Sequence, residues 1–202
     1  LAGESLTVAT LTPEGIPGDR VVQVCGPEGV RTSRRYHRLL GLFGTLGSDA
    51  RPRINGHPWD GPEALALIKN AAGDDAWLEA HEGLERFDIR PLLVATDGAV
   101  AKFGRDVRRL RPNILIGGVE AEAETLWQGA QLRIADTLVQ LDALRGRCVM
   151  TTVDPDTLER DPEVLKDIVR RFGGRLALDA DVVRGGTVRI GDDVVLERPD
   201  DP

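Results

Sequence analysis

The chain has 202 residues, 41% of them hydrophobic and 29% charged, and a formal net charge of −7. That length holds one large domain or two intimate small ones, and the hydrophobic share supports a packed core rather than disorder. The acidic balance argues against a nucleic-acid or membrane-surface binder, because both partners are anionic.

No apolar run is long enough to span a membrane, and no secretory signal is visible. Two cysteines, Cys25 and Cys148, are too few for a disulfide scaffold. A soluble protein of a reducing compartment, the cytoplasm, is expected. The chain opens at Leu1 and its only methionine is Met150, so the natural start, and any targeting segment, is expected upstream. Arginine dominates the cations; Lys69, Lys102 and Lys166 are the only lysines. Guanidinium grips phosphate and carboxylate with two parallel bonds, although most of these arginines belong on a solvated surface.

In chain order, residues 5–11 read as a strand. Residues 21–25 and 29–32 flank Gly26-Pro27-Glu28 as a hairpin, with Cys25 a small buried hydrophobe. Residues 39–46 read as a further strand, and 51–54 with 57–59 as a hairpin around Asn55-Gly56. Pro62 opens a helix that Gly73 stops, and 76–87 reads as a short amphipathic segment or strand. Residues 91–95 form a compact apolar strand, 98–107 a short helix, and 112–116 a second buried strand. Residues 131–135 and 138–144 pair, and a strand carrying Cys148 follows. Asp161-Pro162-Glu163 opens the clearest helix, with a cap, a first-turn proline and a dipole-matched acid. Three short strands close the chain. Many short strands and few helices give an α+β, mainly β, barrel-like or sandwich fold.

Cys148 is the residue around which chemistry is sought. Arg145 and Arg147 lie close in sequence and would favour thiolate over thiol, and a thiolate suits a metal already held by sulfur. The opposing reading is a structural cysteine in an apolar strand. Arg111-Pro112-Asn113 offers a fork and a carboxamide that could hold a phosphate and a heterocycle edge, or a capped turn entering a strand. His37, His57 and His81 show no metal-ligand spacing. No nucleophile elbow, Walker loop or dinucleotide fingerprint is present.

Together, Arg111-Pro112-Asn113-Ile114, Cys148-Val149-Met150-Thr151-Thr152-Val153-Asp154-Pro155 and Gly185-Gly186-Thr187-Val188-Arg189-Ile190-Gly191-Asp192 resemble the MOSC family, named from the molybdenum-cofactor sulfurase C-terminus. Gly18-Asp19-Arg20 and Thr32-Ser33-Arg34 resemble the N-terminal β-barrel region of its amidoxime-reducing branch. The resemblance implies a MOSC-type β-barrel with peripheral helices over 87–198 and a smaller β-rich N-terminal region over 1–86. It implies a molybdenum cofactor (molybdenum on molybdopterin) with Cys148 as the metal ligand and Asp88 as an acid close to the metal. Arg20, Arg34, Arg90, Arg111, Asn113, Gly146 and Arg147 are then the cofactor contacts. Arg90 and Ala99 stand where hydroxyl residues are usual, and the family's Lys-Ser pair would lie before Leu1.

The activity implied is reduction of small N-hydroxylated compounds at the N–O bond, with electrons from an external donor protein. The alternative is a sulfur carrier or cofactor-delivery module that uses Cys148 as persulfide or ligand; with no pyridoxal-phosphate lysine motif, it would need a separate sulfur donor. A third reading is a barrel that has lost the cofactor.

Overall fold

The structure is a computed structural model that describes every residue except 82, 84, 85 and 199–202. The chain divides into two compact units. The first comprises Leu1–Ser5, Gly18–Arg86 and Val153–Arg160; the second comprises Leu6–Pro17, Phe87–Thr152 and the chain from Asp161 onward.

In the first unit, β2 (Val22–Gly26) is flanked by β3 (Gly29–Val30) and β7 (Trp77–Ala80), and β5 (Pro52–Ile54) by β4 (Gly44–Leu46) and β6 (His57–Pro58). Both expected hairpins form. Asn55 and Gly56 take φ of 50° and 83°, the pair of left-handed residues that a two-residue hairpin turn needs. Helix α1 (Pro62–Ala72) buries Ala64, Ile68 and Ala72, spaced by four, against Val24, Leu39 and Ile54. Two expectations need correction here. Residues 39–46 are not one strand: a 3-10 turn, His37–Gly41, precedes β4, because Leu39 and Leu42 are buried at the three-residue spacing of that helix. Of the segment expected over 76–87, β7 forms its start, while residues 82, 84 and 85 lie outside the described residues.

The second unit is built on a curled six-stranded half-barrel sheet. Its strand order is β14 (Val194–Glu197), β10 (Gln131–Ile134), β11 (Thr137–Gly146), β12 (Arg175–Arg184), β8 (Leu92–Thr96) and β9 (Ile114–Ile116). All neighbours are antiparallel except β8 and β9, which are parallel. A separate ribbon joins β1 (Val8–Leu11) to β13 (Gly186–Arg189).

All five residues of β8 are buried because both faces are covered. Leu92 and Val94 enter the core with Leu132, Val139, Leu141 and Leu178. Leu93 and Ala95 pack with Ala177 on the other face. Helices α2 (Asp97–Phe103) and α3 (Pro162–Phe172) contribute Ala99, Phe103, Val164 and Ile168 to a further cluster with Leu110 and Leu176.

The α+β, mainly β architecture expected from sequence is what forms. Two local readings change. The strand expected to carry Cys148 is a 3-10 turn, Val149–Thr152, and β9 is an edge strand with Leu115 52% exposed rather than a buried one.

Candidate functional site

Cys148 sits between the end of β11 and the 3-10 turn Val149–Thr152. The β-branched run looks like a strand, but its hydroxyls close a turn. Thr151 donates from both N and Oγ1 to the Cys148 carbonyl, at 3.0 and 2.9 Å, and Thr152 Oγ1 donates to the Val149 carbonyl at 2.7 Å. Both threonines are buried, so the turn points its hydroxyls inward while Cys148 remains partly exposed; Cys25, by contrast, is buried. The Cys148 side chain is therefore not sealed in the core.

The preceding residues are fixed by β12. Arg147 N donates to Gly174 O at 2.8 Å. The pairing shifts from Leu144↔Leu178 to Gly146↔Arg175, which leaves an extra residue on β12, and Ala177 takes a left-handed φ of 66° at this bulge. Arg145 forms a close ion pair with Asp179, a carboxylate only 3% exposed, and its Nη1 lies 3.9 Å from Asp88. Burial pushes the Asp179 carboxyl above its ordinary value, against the opposing pull of Arg145. Arg147 extends from the same strand end. Its Nη2 donates to Leu110 O at 2.7 Å and its Nη1 to Leu176 O at 3.4 Å, while the buried Nε has no partner. Burial, reinforced by repulsion from Arg145, lowers this guanidinium to about 10, so it stays charged at neutral pH.

The Arg111-Pro112-Asn113 turn enters β9. Arg111 adopts a left-handed φ of 62°. Asn113 Oδ1 accepts from Leu93 N at 2.9 Å, while Asn113 N donates to Leu93 O at 2.8 Å. The carboxamide oxygen thus ties β9 to β8 and only its exposed NH2 faces outward. Arg90 is engaged by Asp142 at 3.0 Å and Asp181 at 3.1 Å; the Asp142 hydrogen bond above all raises its already high pKa. A phosphate at Arg90 would have to displace those two carboxylates. Asp88, Arg90, Arg111, Asn113, Gly146, Arg147 and Cys148 all belong to the second unit, whereas Arg20 and Arg34 belong to the first. A cavity of about 140 Å³ in the first unit, lined in part by Arg31, Arg35 and Tyr36, contains no thiol. Its arginines are already held, Arg31 by Asp75 at 2.6 Å and Arg35 by Glu28 at 3.2 Å.

Sequence reasoning missed Arg109 and Asp179. Two aspartates, Asp179 and Asp181, inside the otherwise apolar run Leu176–Val182 were the available signal for Asp179; nothing in the sequence distinguishes Arg109 from its neighbours.

The family model described as "MOSC domain" matches residues 95–195, half of the chain. This chain belongs to the MOSC family. The match takes in Arg111, Asn113, Cys148 and helix α3, and it brings the family's association with the molybdenum cofactor.

Human mitochondrial amidoxime-reducing component 1 is 30% identical over 128 residues, 54% of this chain and 37% of that protein. Mitochondrial amidoxime reducing component 2 of Macaca fascicularis is 34% identical over 76 residues, 35% and 22% of the two chains. The MOSC protein thus spans 37% of the first of these relatives and 22% of the second. The crystal structure of the YUAD protein from Bacillus subtilis superposes with a TM-score of 0.51 over 96% of this chain and 87% of that one. At 13% identity, that likeness concerns the fold alone.

Two features of this MOSC protein fit a bulky anionic cofactor beside Cys148. Gly146 is exposed, its φ is not left-handed, and a Cβ there would meet no protein atom within 4 Å. Neither backbone nor packing demands glycine, yet the space beside it stays open. The second feature is the unpartnered Nε of Arg147. Among the described residues no cluster of three or more His, Cys, Asp or Glu could hold a metal, and no helix is long and apolar enough to cross a membrane.

Proposed function

We propose that this chain is a molybdenum-cofactor-dependent oxidoreductase that reduces small N-hydroxylated compounds, with Cys148 as the protein's ligand to the metal. The observation that carries the reading is a partly exposed thiol at the mouth of a turn, next to a glycine whose side is open. The substrate class is supported by the names of two relatives, both amidoxime-reducing components. The overall reaction consumes two electrons and two protons, converts N–OH to N–H and releases water. When bound, the cofactor supplies the two-electron redox chemistry.

The protein's own contribution is to hold and orient. Cys148 Sγ gives one fixed ligand, and the threonine-closed turn sets its direction. Arg111, in a conformation that costs energy for a non-glycine residue, and the free NH2 of Asn113 are assigned to the pterin and its phosphate. Asp88, 68% exposed at its side chain and held by Arg145, is assigned to deliver protons at Oδ2. Electrons come from a separate donor protein. Residues 87–198 form the cofactor-carrying domain in this reading. Two free cysteines suit a reducing compartment such as the cytoplasm.

The test is metal analysis of the purified chain, followed by reduction of benzamidoxime or hydroxylaminopurine with a chemical reductant. Molybdenum near one per chain, lost together with turnover in Cys148→Ser, is expected. A serine variant that keeps both its metal and its rate would defeat the assignment. Trappable sulfane sulfur on Cys148 without molybdenum would instead mark a sulfur carrier.

A further inference from the structure

We infer that Arg109 is a positioning residue of the Cys148 site, half of a reciprocal arginine clasp between the two segments that carry the candidate ligands. The inference rests on Cys148 being the working thiol. One segment is the 3-10 turn Val107–Arg109 with the Arg111–Asn113 turn behind it; the other is the end of β11 with the turn Val149–Thr152. Arg109 reaches across from the first: its Nη1 donates to Thr152 O at 3.1 Å and Thr151 O at 3.3 Å. Arg147 reaches back from the second to Leu110 O at 2.7 Å. Each guanidinium thus binds backbone carbonyls of the other segment.

The placement of these bonds matters more than their number. Thr151 and Thr152 close the Cys148 turn, and their carbonyls lie at the C-terminal end of a short 3-10 helix, where acceptors have no partner within the helix. A cation there also meets the negative end of the turn's dipole. Leu110 is the residue before Arg111, so the Arg147 bond fixes the start of the Arg-Pro-Asn turn. Arg109 and Arg147 therefore set the separation between the thiol and the Arg111–Asn113 pair without needing to touch a cofactor. Arg147 is adjacent to Cys148 and largely buried, which makes its removal hard to interpret. Arg109 is partly exposed and can be changed alone.

The test uses the full chain without cofactor. Arg109→Ala and Arg109→Met, the latter keeping an apolar stem, are compared with Arg109→Lys by hydrogen exchange and by the rate of Cys148 alkylation. Loss of hydrogen bonds from a charged donor is expected to speed exchange at the Thr151 amide on the order of tenfold. Alkylation should rise in parallel, while β10 and β11 keep native protection. Lysine, which can donate to both carbonyls, should restore most of the protection. The inference is overturned if alanine and methionine leave 149–152 as protected as in the parent chain. It is equally overturned if lysine exchanges as fast as alanine, since charge and donors would then play no part. Both outcomes are read without molybdenum, so they are separate from the metal analysis that decides the cofactor reading.

Discussion

Gly98 and Gly146 are glycine for opposite reasons. A Cβ on Gly98 would strike the backbone of Val119, Glu120 and Ala121, which packs against the start of α2. Gly98→Ala should therefore lose about 1–3 kcal/mol in urea denaturation. Gly146→Ala meets nothing, so it should fold with stability unchanged or slightly raised, by up to ~1 kcal/mol. It should nevertheless retain less molybdenum after purification; undiminished metal in this variant would mean that the open side is not where the cofactor lies. Arg145 and Asp179 form a close, largely buried ion pair. Asp179→Ala strands a largely buried guanidinium and should lose about 3 kcal/mol, whereas Arg145→Met with Asp179→Leu should come back near the parent, because a buried ion pair barely outweighs its own desolvation. A double-mutant cycle in urea measures the difference.

Among the elements, α3 is the most self-contained. Asp161 Oδ1 accepts from Glu163 N at 3.0 Å, Pro162 occupies the first turn, and Gly173 closes the helix at φ 60°. Asp167 accepts from both Arg170 and Arg171, at 2.7 and 2.8 Å. Val164 and Ile168 are fully buried, while Val169 is 57% exposed, so the buried stripe is narrower than the apolar residues alone suggest. Asp161→Ala should cost about 1 kcal/mol through the lost cap, and Ile168→Ala about 2–5 kcal/mol through the cavity it leaves. Equal losses in thermal melts would contradict the idea that tertiary packing, not the cap, holds this helix.

For the molecule as a whole, the pH response follows from carboxylates held below their usual range. Asp97 is held by backbone N–H groups of Val119 and Gly118, Asp106 by Arg108 and Asp167 by Arg171, all in the second unit. In the first unit, Asp75 is held by Arg31. A carboxyl lowered by folding stabilises the fold above its unfolded value of about 4, and that stability is lost as pH falls through the lower folded value. Asp179, raised by burial, has the opposite sign: its contribution is present below about pH 4 and lost as pH rises through the raised value. The lowered group is the larger, so both units should unfold on the acid side. Trp59 and Trp77 report on the first unit and Trp127 on the second. Their fluorescence should hold steady at neutral pH and change only below about pH 4; a transition near neutrality would show that other groups control the fold.

Features whose physics is local were legible in the residue string. The Asn55-Gly56 turn, the proline-led and glycine-ended helices and the apolar β8 run each carry their instructions within a few residues. The motif around Cys148 was legible too, because a family resemblance is written in the residue string. Tertiary structure decided what depends on partners far along the chain. Whether Thr151 and Thr152 extend a strand or close a turn is a contest between two sets of backbone bonds, and β11 stops at Gly146 where the β12 bulge shifts the register. That Arg90 faces Asp142 and Asp181, that Asp179 meets Arg145, and that Arg109 reaches Thr151 and Thr152 are pairings across 34 to 91 residues. A charged side chain declares its charge in the sequence, but only the folded sheet chooses the opposite group, because burial and distance set the strength of that choice.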